Sequence, residues 1–433
     1  MSAAGRTDTG PRLAAAVDRA VDVLVRTAVQ TGDDVTWPSW VMGPDGEPTG
    51  LTGGNATVYD GDAGIVWALH ALADATGRQD VADLAQRSRR GVVNRPTKSL
   101  PAGLLDGVAG LSLLDPRDHD RPTQPAPGPA RAPRRSADLT SGVAGVGLAA
   151  SRVGCSRDQA GEFLLSLRDQ ALDRDAIGDT AIGLAWADPS PDGVAVPLCG
   201  LSHGASGVAL AVAELAAVHR DLPGAAELIG GALRWESTWF DVQAGGWPDL
   251  RPDVVQTGMT YPALWCHGAA GIGATRLRLL ALAAEGVDLG IPLATVQADA
   301  EVAIQACGRW VGQVIQAHAQ LADDDRSPHA PSATVWPGGL TLCHGLGGAL
   351  DLLVMAYEWS GVTRHLELAR RAADAVLDAS PEDPALWASG LRDSPSGEAH
   401  GCLGLFNGLA GTAVILARLA WPDRHIPSPA ILG

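Results

Sequence analysis

The sequence predicts an all-α fold built from seven helix-pair repeats. Three observations carry that prediction. The apolar mass is mostly Ala, Leu and Val, with few aromatics, and Ala and Leu favour helix. A polar residue, a glycine, two further residues and a second glycine recur as a pattern seven times. The stretches that follow are apolar at three- and four-residue spacing and stop at a glycine.

The copies open at Asp60, Asp106, Ser141, His203, His267, His344 and Asn407. After the first, "GIVWALHALADATG" runs from Gly64 to Gly77. After the fourth, "GVALAVAELAAVHRDLPG" runs from Gly207 to Gly224, and after the sixth, "GALDLLVMAYEWSG" runs from Gly348 to Gly361. A glycine just past the last periodic residue is a helix C-terminal stop. Between copies lie helical patterns with more charge: "DVADLAQRSRR", "AEVAIQACGRWVGQVIQ" and "RHLELARRAADAVLDA". Each unit therefore reads as an outer amphipathic helix, a loop and a more apolar inner helix. The motif spacing runs from 35 residues (Gly107 to Gly142) to 77 (Gly268 to Gly345), so the units carry insertions. Such units extend as a solenoid or close into a ring. Insertions with polar groups at one end favour the ring, although periodicity alone leaves both open. Residues 115–138 and 323–334 are Pro-rich and read as exposed loops, because the repeat resumes after each. Residues 1–433 thus read as a single domain.

Bulk properties narrow the function. With 46% hydrophobic and 19% charged residues the chain is globular rather than disordered. A net charge of −17 argues against a nucleic-acid partner, which requires a basic face. The N-terminus lacks the apolar run of a signal peptide, and no stretch nears the roughly twenty apolar residues of a membrane span. A cytoplasmic protein is expected. Its cysteines, at 155, 199, 266, 307, 343 and 402, are scattered, so in a reducing compartment they read as thiols or metal ligands.

The residue that opens each copy carries the sharpest signal. Asp, Ser and Asn are favoured N-caps, so Asp60, Asp106, Ser141 and Asn407 read as caps of the inner helices. Histidine is not a preferred cap. Three consecutive copies nevertheless carry it, as His203, His267 and His344, and two place a cysteine before it, as Cys266 and Cys343. Repeats bring equivalent positions to equivalent places. Thiolates and imidazoles converging at one side of a ring centre fit zinc, which takes sulfur and nitrogen ligands tetrahedrally.

At these residues the chain resembles the lanthipeptide cyclase, or LanC-like, family. The motifs that carry the resemblance are "SHGASG" with His203, "WCHGAAG" with Cys266, and "LCHGLGG" with Cys343 and His344, in that order. The resemblance spans essentially the whole chain and implies an α/α-toroid, a double-layered helical barrel. It implies that Cys266, Cys343 and His344 bind zinc and that His203 is an acid/base residue near the metal. It also implies a role for Asp138, four residues before Gly142, which otherwise reads as a loop-end aspartate. Two places depart from the stand-alone members, which often have Arg and Tyr where this chain has Pro262 and His267. The "WCHG" form is more similar to the cyclase domains of multidomain synthetases. His267 is then either a second acid or a helix cap. The implied reaction joins a peptide cysteine to a dehydrated Ser or Thr as a thioether. The implied partner is a dehydrated precursor peptide, leader plus core. No kinase or dehydratase segment is present, so a separate enzyme is expected to dehydrate it.

Other residues carry weaker expectations. Cys199, Cys155 and Cys307 read as packing. His400 and Cys402 precede the seventh copy and are marginal site candidates. Trp37–Pro38, Trp247–Pro248 and Trp336–Pro337 read as packing at turns. Two rival functions stand beside the cyclase. One is a carbohydrate-active toroid using Asp60, Asp62 and Asp106 as paired carboxylates. The other is a peptide- or thiol-binding adaptor whose zinc is purely structural.

Overall fold

The computed structural model describes residues 9–32, 34–42, 48–97, 99–114, 136–172, 183–188, 196–323, 339–389 and 401–433. Most of both Pro-rich stretches (115–135 and 324–334) lies outside the described residues, as do His400, Trp336 and Pro337.

Six of the glycine motifs open an α-helix: Asp62–Thr76, Val143–Val153, Ala205–Val218, Ala269–Ala284, Gly347–Ser360 and Leu409–Ala420. The second opens only a short 3-10 helix, Val108–Leu113. Pro116 follows it in sequence and cannot continue a helix. The inner helices are buried nearly all round. Every residue from Ala205 to Ala216 is buried, as an element apolar on all faces requires. The outer helices are Gly10–Thr27, Gln79–Asn94, Arg157–Gln170, Ala225–Ser237, Leu293–Asp323 and Thr363–Asp378. They are one-sided: the last buries Leu366, Ala369, Ala372, Ala373, Val376 and Leu377 at helical spacing.

The ring closes. Each of the seven motif-led segments packs against the next in chain order, and Leu409–Ala420 packs against Asp62–Thr76. Gly10–Thr27 completes the outer layer by packing on Leu409–Ala420, so the two ends of the chain meet in one wall. Among the described residues three short antiparallel strand pairs also occur, which the helical periodicity could not announce: Val29–Thr31 with Asp34–Thr36, Ser39–Met42 with Pro48–Thr52, and Ala187–Asp188 with Val196–Pro197.

The loops leading into the inner helices are tied together by backbone hydrogen bonds. Tyr59 N–H donates to Leu105 O, Leu105 N–H to Thr140 O, Leu139 N–H to Ser202 O and Ser202 N–H to Cys266 O. Cys343 N–H donates to Phe406 O and Phe406 N–H to Tyr59 O. This close belt explains the second motif glycine. A Cβ on Gly271 would overlap the Trp265 carbonyl oxygen and meet Leu201 Cβ of the neighbouring copy at 2.7 Å. The repeat is therefore a record of tight loop-to-helix packing.

The capping expectation is not met. The helix N-caps are Gly61, Gly142, Gly204, Gly268 and Gly408, in extended conformation and without a side-chain cap bond. Asp60 instead accepts hydrogen bonds from Asn55 Nδ2 and Thr57 Oγ1, both at 2.9 Å. Ser141 Oγ donates to Asp106 Oδ2 at 2.8 Å, and Asn407 Oδ1 accepts from Tyr59 Oη at 3.2 Å. The polar position faces inward to the ring centre, one residue too early to cap.

Candidate metal centre and its cavity

The loop ends enclose a cavity of about 350 Å³ at the N-terminal ends of the inner helices, with Tyr59, Asp106, His203, Arg251, Cys266 and His344 among its lining residues. Cys266 and Cys343 occupy the same phase of two adjacent copies, each one residue before the opening histidine. The belt that fixes their backbones brings their side chains together. Cys266 Sγ, Cys343 Sγ and a ring nitrogen of His344 all lie within 4.8 Å of one another. The two thiols are buried and His344 is exposed to the cavity. Cys266 Sγ approaches the Cys343 carbonyl at 3.8 Å.

The buried thiols titrate as one unit. A hydrogen bond from Cys343, joined by His344 and His267, holds the Cys266 thiol well below its ordinary value despite burial. Burial and the neighbouring Cys266 thiolate push Cys343 well up. The first proton leaves easily and the second is held. A divalent cation beside both sulfurs would replace that second proton. Two sulfurs and one imidazole suit zinc, and three protein ligands leave one tetrahedral place open.

On the loop that neighbours Cys266, tied to it by Ser202 N–H and the Cys266 carbonyl, His203 faces Asp138, with Nδ1 3.6 Å from Oδ2. Asp138 is 6% exposed. Its Oδ1 accepts the Ser141 N–H at 2.7 Å and the Gly142 N–H at 3.3 Å, and its Oδ2 accepts from Ser136 Oγ. Asp138 thus closes its own loop and also faces the imidazole. Burial raises its carboxyl, but the facing His203 imidazole, with the bonds from Ser136 and Ser141, outweighs that and leaves it below its ordinary value. His267 stacks on His203, with ring centroids 5.8 Å apart and planes 16° from parallel. Burial lowers the His267 imidazole, against the opposing pull of Cys266. His267 lines the cavity and does not cap.

The sequence family described as "Lanthionine synthetase C-like protein" matches residues 49–307 and 329–432. The chain belongs to that family. Among solved structures this LanC-like protein is similar to nisin cyclase, with a TM-score of 0.56 at 12% identity, covering 98% of this chain and 96% of that one. At that identity the likeness is one of fold: an all-α toroid. A weaker likeness, with a TM-score of 0.45 at 11% identity over 98% of this chain and 100% of the other, is to cellobiose 2-epimerase from Spirochaeta thermophila DSM 6192. No curated protein matches by sequence.

The remaining expectations divide cleanly in this LanC-like chain. Cys199 is buried outside the cavity, and burial pushes its thiol well up. Burial likewise raises Cys307, and it pushes Cys402 up to about 12. None of the six cysteines is in a disulfide. Trp37 and Trp247 are buried; Trp37 Nε1 donates to Leu24 O at 2.7 Å, and Trp247 packs on Phe240. Asp62 is fully buried, pairs with Arg95 and accepts from Trp37 N–H, so it belongs to the scaffold. Asp60 and Asp106 do line the cavity.

Several lining residues escaped the sequence reading. Tyr59 stacks on Phe406 at 5.3 Å and lies beside Cys343, where burial and that thiol push its phenol well up. Thr140 Oγ1 and Ser202 Oγ are 2.9 Å apart. Tyr59, Thr140 and Ser202 share the repeat phase of Cys266 and Cys343, which is the signal that finds them. Arg251 and Asp249 come from the insertion between the fourth and fifth copies, outside the repeat. Among the described residues no helix is long and apolar enough to cross a membrane.

Proposed function

We propose that the whole chain is one domain and acts as a zinc-dependent peptide cyclase, adding a cysteine thiol of a dehydrated peptide to dehydroalanine or dehydrobutyrine. One observation carries the reading. A Cys-Cys-His cluster with its atoms within 4.8 Å lines the same cavity as His203, which is paired with the buried Asp138 behind it. A closed structural zinc has no use for such a pair, which disfavours the adaptor reading. Paired carboxylates without metal leave the two Cys-His steps unexplained.

Cys266, Cys343 and His344 would hold the zinc. When bound, it would keep a substrate thiol as the thiolate at neutral pH, with two protein thiolates and an imidazole preserving the nucleophilicity of that sulfur. The cavity, at about 350 Å³, has room for the two reacting residues and not for the folded peptide. As sulfur bonds to the β-carbon, the carbon–carbon π bond opens towards the α-carbon and its carbonyl. His203 delivers a proton to the α-carbon and regains one from the thiol's released proton through solvent. Asp138, anchored by its loop N–H groups, orients the imidazole and balances its charge while protonated. His267 limits the ring's tilt by stacking and stays neutral through burial. The substrate is a precursor peptide, leader plus core, dehydrated by a separate enzyme in the cytoplasm.

The test is a pair of measurements on wild type and Cys343→Ala. Addition leaves peptide mass unchanged, so ring formation is read as loss of an alkylatable thiol. Wild type is expected to hold about one zinc per chain and to consume the thiol, while the variant does neither. Full ring formation by metal-free protein sinks the proposal.

A further inference from the structure

We infer that Arg251 is a catalytic donor in this cavity, its guanidinium binding the carbonyl oxygen of the acceptor residue on which negative charge grows. The inference rests on the cyclase reading above. Among the described residues lining the cavity, Arg251 carries the permanent positive charge; the others are acids, imidazoles, thiols and neutral groups. It stands outside the glycine repeat, on the insertion that runs from Trp247 to the short helix Pro252–Thr257.

The side chain is held in one orientation. Its Nε donates to Asp249 Oδ1 and Oδ2 at 3.0 and 3.1 Å, and Nη2 donates to Oδ2 at 2.6 Å. The Arg251 N–H also donates to Asp249 Oδ1 at 3.1 Å. Asp249 is itself only 3% exposed, its N–H donates to Thr260 O at 2.9 Å, and it follows the buried Trp247. This fork occupies the Nε and Nη2 edge of a group with five N–H donors, leaving the two on Nη1 outside it. The guanidinium keeps 41% of its side-chain surface open, so it is fixed and yet available. A donor fixed before reaction needs no reorganisation when charge develops.

The charge pattern of the cavity says where that charge goes. Asp60 and Asp106 also line the cavity, and an oxyanion is repelled from both. Arg251 lines the cavity together with the thiols, close enough for its charge to act on Cys266 and Cys343. In the addition a sulfur–carbon bond forms and the π bond breaks. The electron pair passes onto the α-carbon and the carbonyl oxygen, and the α-carbon then takes a proton from His203. Until that proton arrives the carbonyl oxygen carries the charge, and a guanidinium N–H stabilises it more than it stabilises the neutral carbonyl.

The experiment uses zinc-loaded wild type, Arg251→Gln, Arg251→Lys and Asp249→Asn with a peptide holding one cysteine and one dehydroalanine. Single-turnover thiol loss, zinc by elemental analysis, and Kd for the saturated peptide with Ala in place of dehydroalanine are measured for each. Arg251→Gln is expected to slow closure by ~10²–10³-fold, the usual effect of losing an oxyanion donor. Its zinc content and its Kd stay within about twofold of wild type, as they do when only the transition state is affected. Arg251→Lys retains part of the rate, and Asp249→Asn, with the charge present but the fork weakened, falls between. An Arg251→Gln rate within about twofold of wild type overturns the inference. Loss of zinc, or weaker binding of the saturated peptide in step with the rate, also overturns it by making Arg251 a structural or ground-state group. Zinc-loaded wild type that forms no ring refutes the cyclase reading itself, and that result involves no variant.

Discussion

Replacing Asp138 by Asn separates the loop-closing role of this carboxylate from its role towards His203. Asn keeps an acceptor for the Ser141 and Gly142 N–H groups, at 2.7 and 3.3 Å in the native loop. It puts an amide in place of the oxygen that faces Ser136 Oγ and His203 Nδ1. Bonds to a charged acceptor contribute ~1.5–3 kcal/mol each, and one of several is degraded, so a loss of about 1–3 kcal/mol is expected. Unfolding entropy near ~2.1 cal/mol/K per residue gives about 0.9 kcal/mol/K for this chain, so Tm falls by only about 1–3 °C. The rate should fall much further, by ~10²-fold, because an amide N–H pointed at Nδ1 opposes the protonated imidazole. The pH profile adds a second readout. A carboxyl held below its unfolded value stabilises the fold above that value and loses the contribution as pH falls through the folded value. Asp138 is held low, so its contribution is full above about pH 5 and fades below about pH 4, the ordinary carboxylate range. Thermal melts of Asp138→Asn against pH should show a shallower acid limb than wild type. Ring-closure kinetics at neutral pH complete the assay. A lower Tm with an unchanged rate refutes the pairing argument and leaves Asp138 as a loop cap alone.

Two further predictions concern the scaffold. Arg276 and Glu236 are both fully buried and bonded at 2.8 Å, and Glu236 Oε1 also accepts the Gly200 N–H in the loop before His203. Glu236→Ala leaves a buried guanidinium with Asp299 as its remaining carboxylate and should cost ~3–5 kcal/mol in urea unfolding, whereas Glu236→Met with Arg276→Met should recover part of it, the Gly200 N–H staying unpaired; a double variant worse than the single contradicts the argument. Gly271→Ala should abolish soluble folded protein, because the new Cβ meets backbone and the preceding copy at once. Gly161→Ala, on an outer helix with nothing within 4 Å, should instead raise stability by about 0.4–1 kcal/mol, read from the shift of the urea midpoint.

Much of the fold was legible because its tightest packing falls on one residue type. Only glycine fits where an inner helix meets its own loop and the neighbouring copy, so the ring writes its period into the chain even through insertions of uneven length. The hairpins were not legible, since strands of two to five residues leave no periodic trace. The cap reading failed for a definable reason. Asp, Ser and Asn before glycine look like N-caps, but here the glycine itself takes the N-cap place and the preceding side chain turns to the centre. Cys266, Cys343, His344 and His203 stood out because they break the pattern of their own repeat position. Tyr59 stood at the same phase as the cysteines, yet an aromatic there reads as core. Arg251 and Asp249 had no such signal, because an insertion has no register to compare against.

The placing of the centre follows from the ring's own joinery. Around the belt, adjacent loops are held by a backbone N–H of one reaching a carbonyl of the next. Between the fifth and sixth copies the sulfur of Cys266 approaches the carbonyl of Cys343, and both thiols lie buried at that joint. Two thiols side by side in low dielectric hold a shared proton that is not easily released, and a divalent cation would take its place. On the proposed reading the zinc would bridge the joint that the belt leaves to side chains, and its ligands would be as rigid as the ring they complete. Rigidity of that kind is what addition requires. On that reading the sulfur, the proposed proton donor His203 and the Asp249–Arg251 fork sit on three different segments, and a closed ring keeps three segments from drifting apart. A solenoid with the same residues would present them along a curved face with no shared centre. Closure is thus the step that turns a repeated capping-like motif into a site.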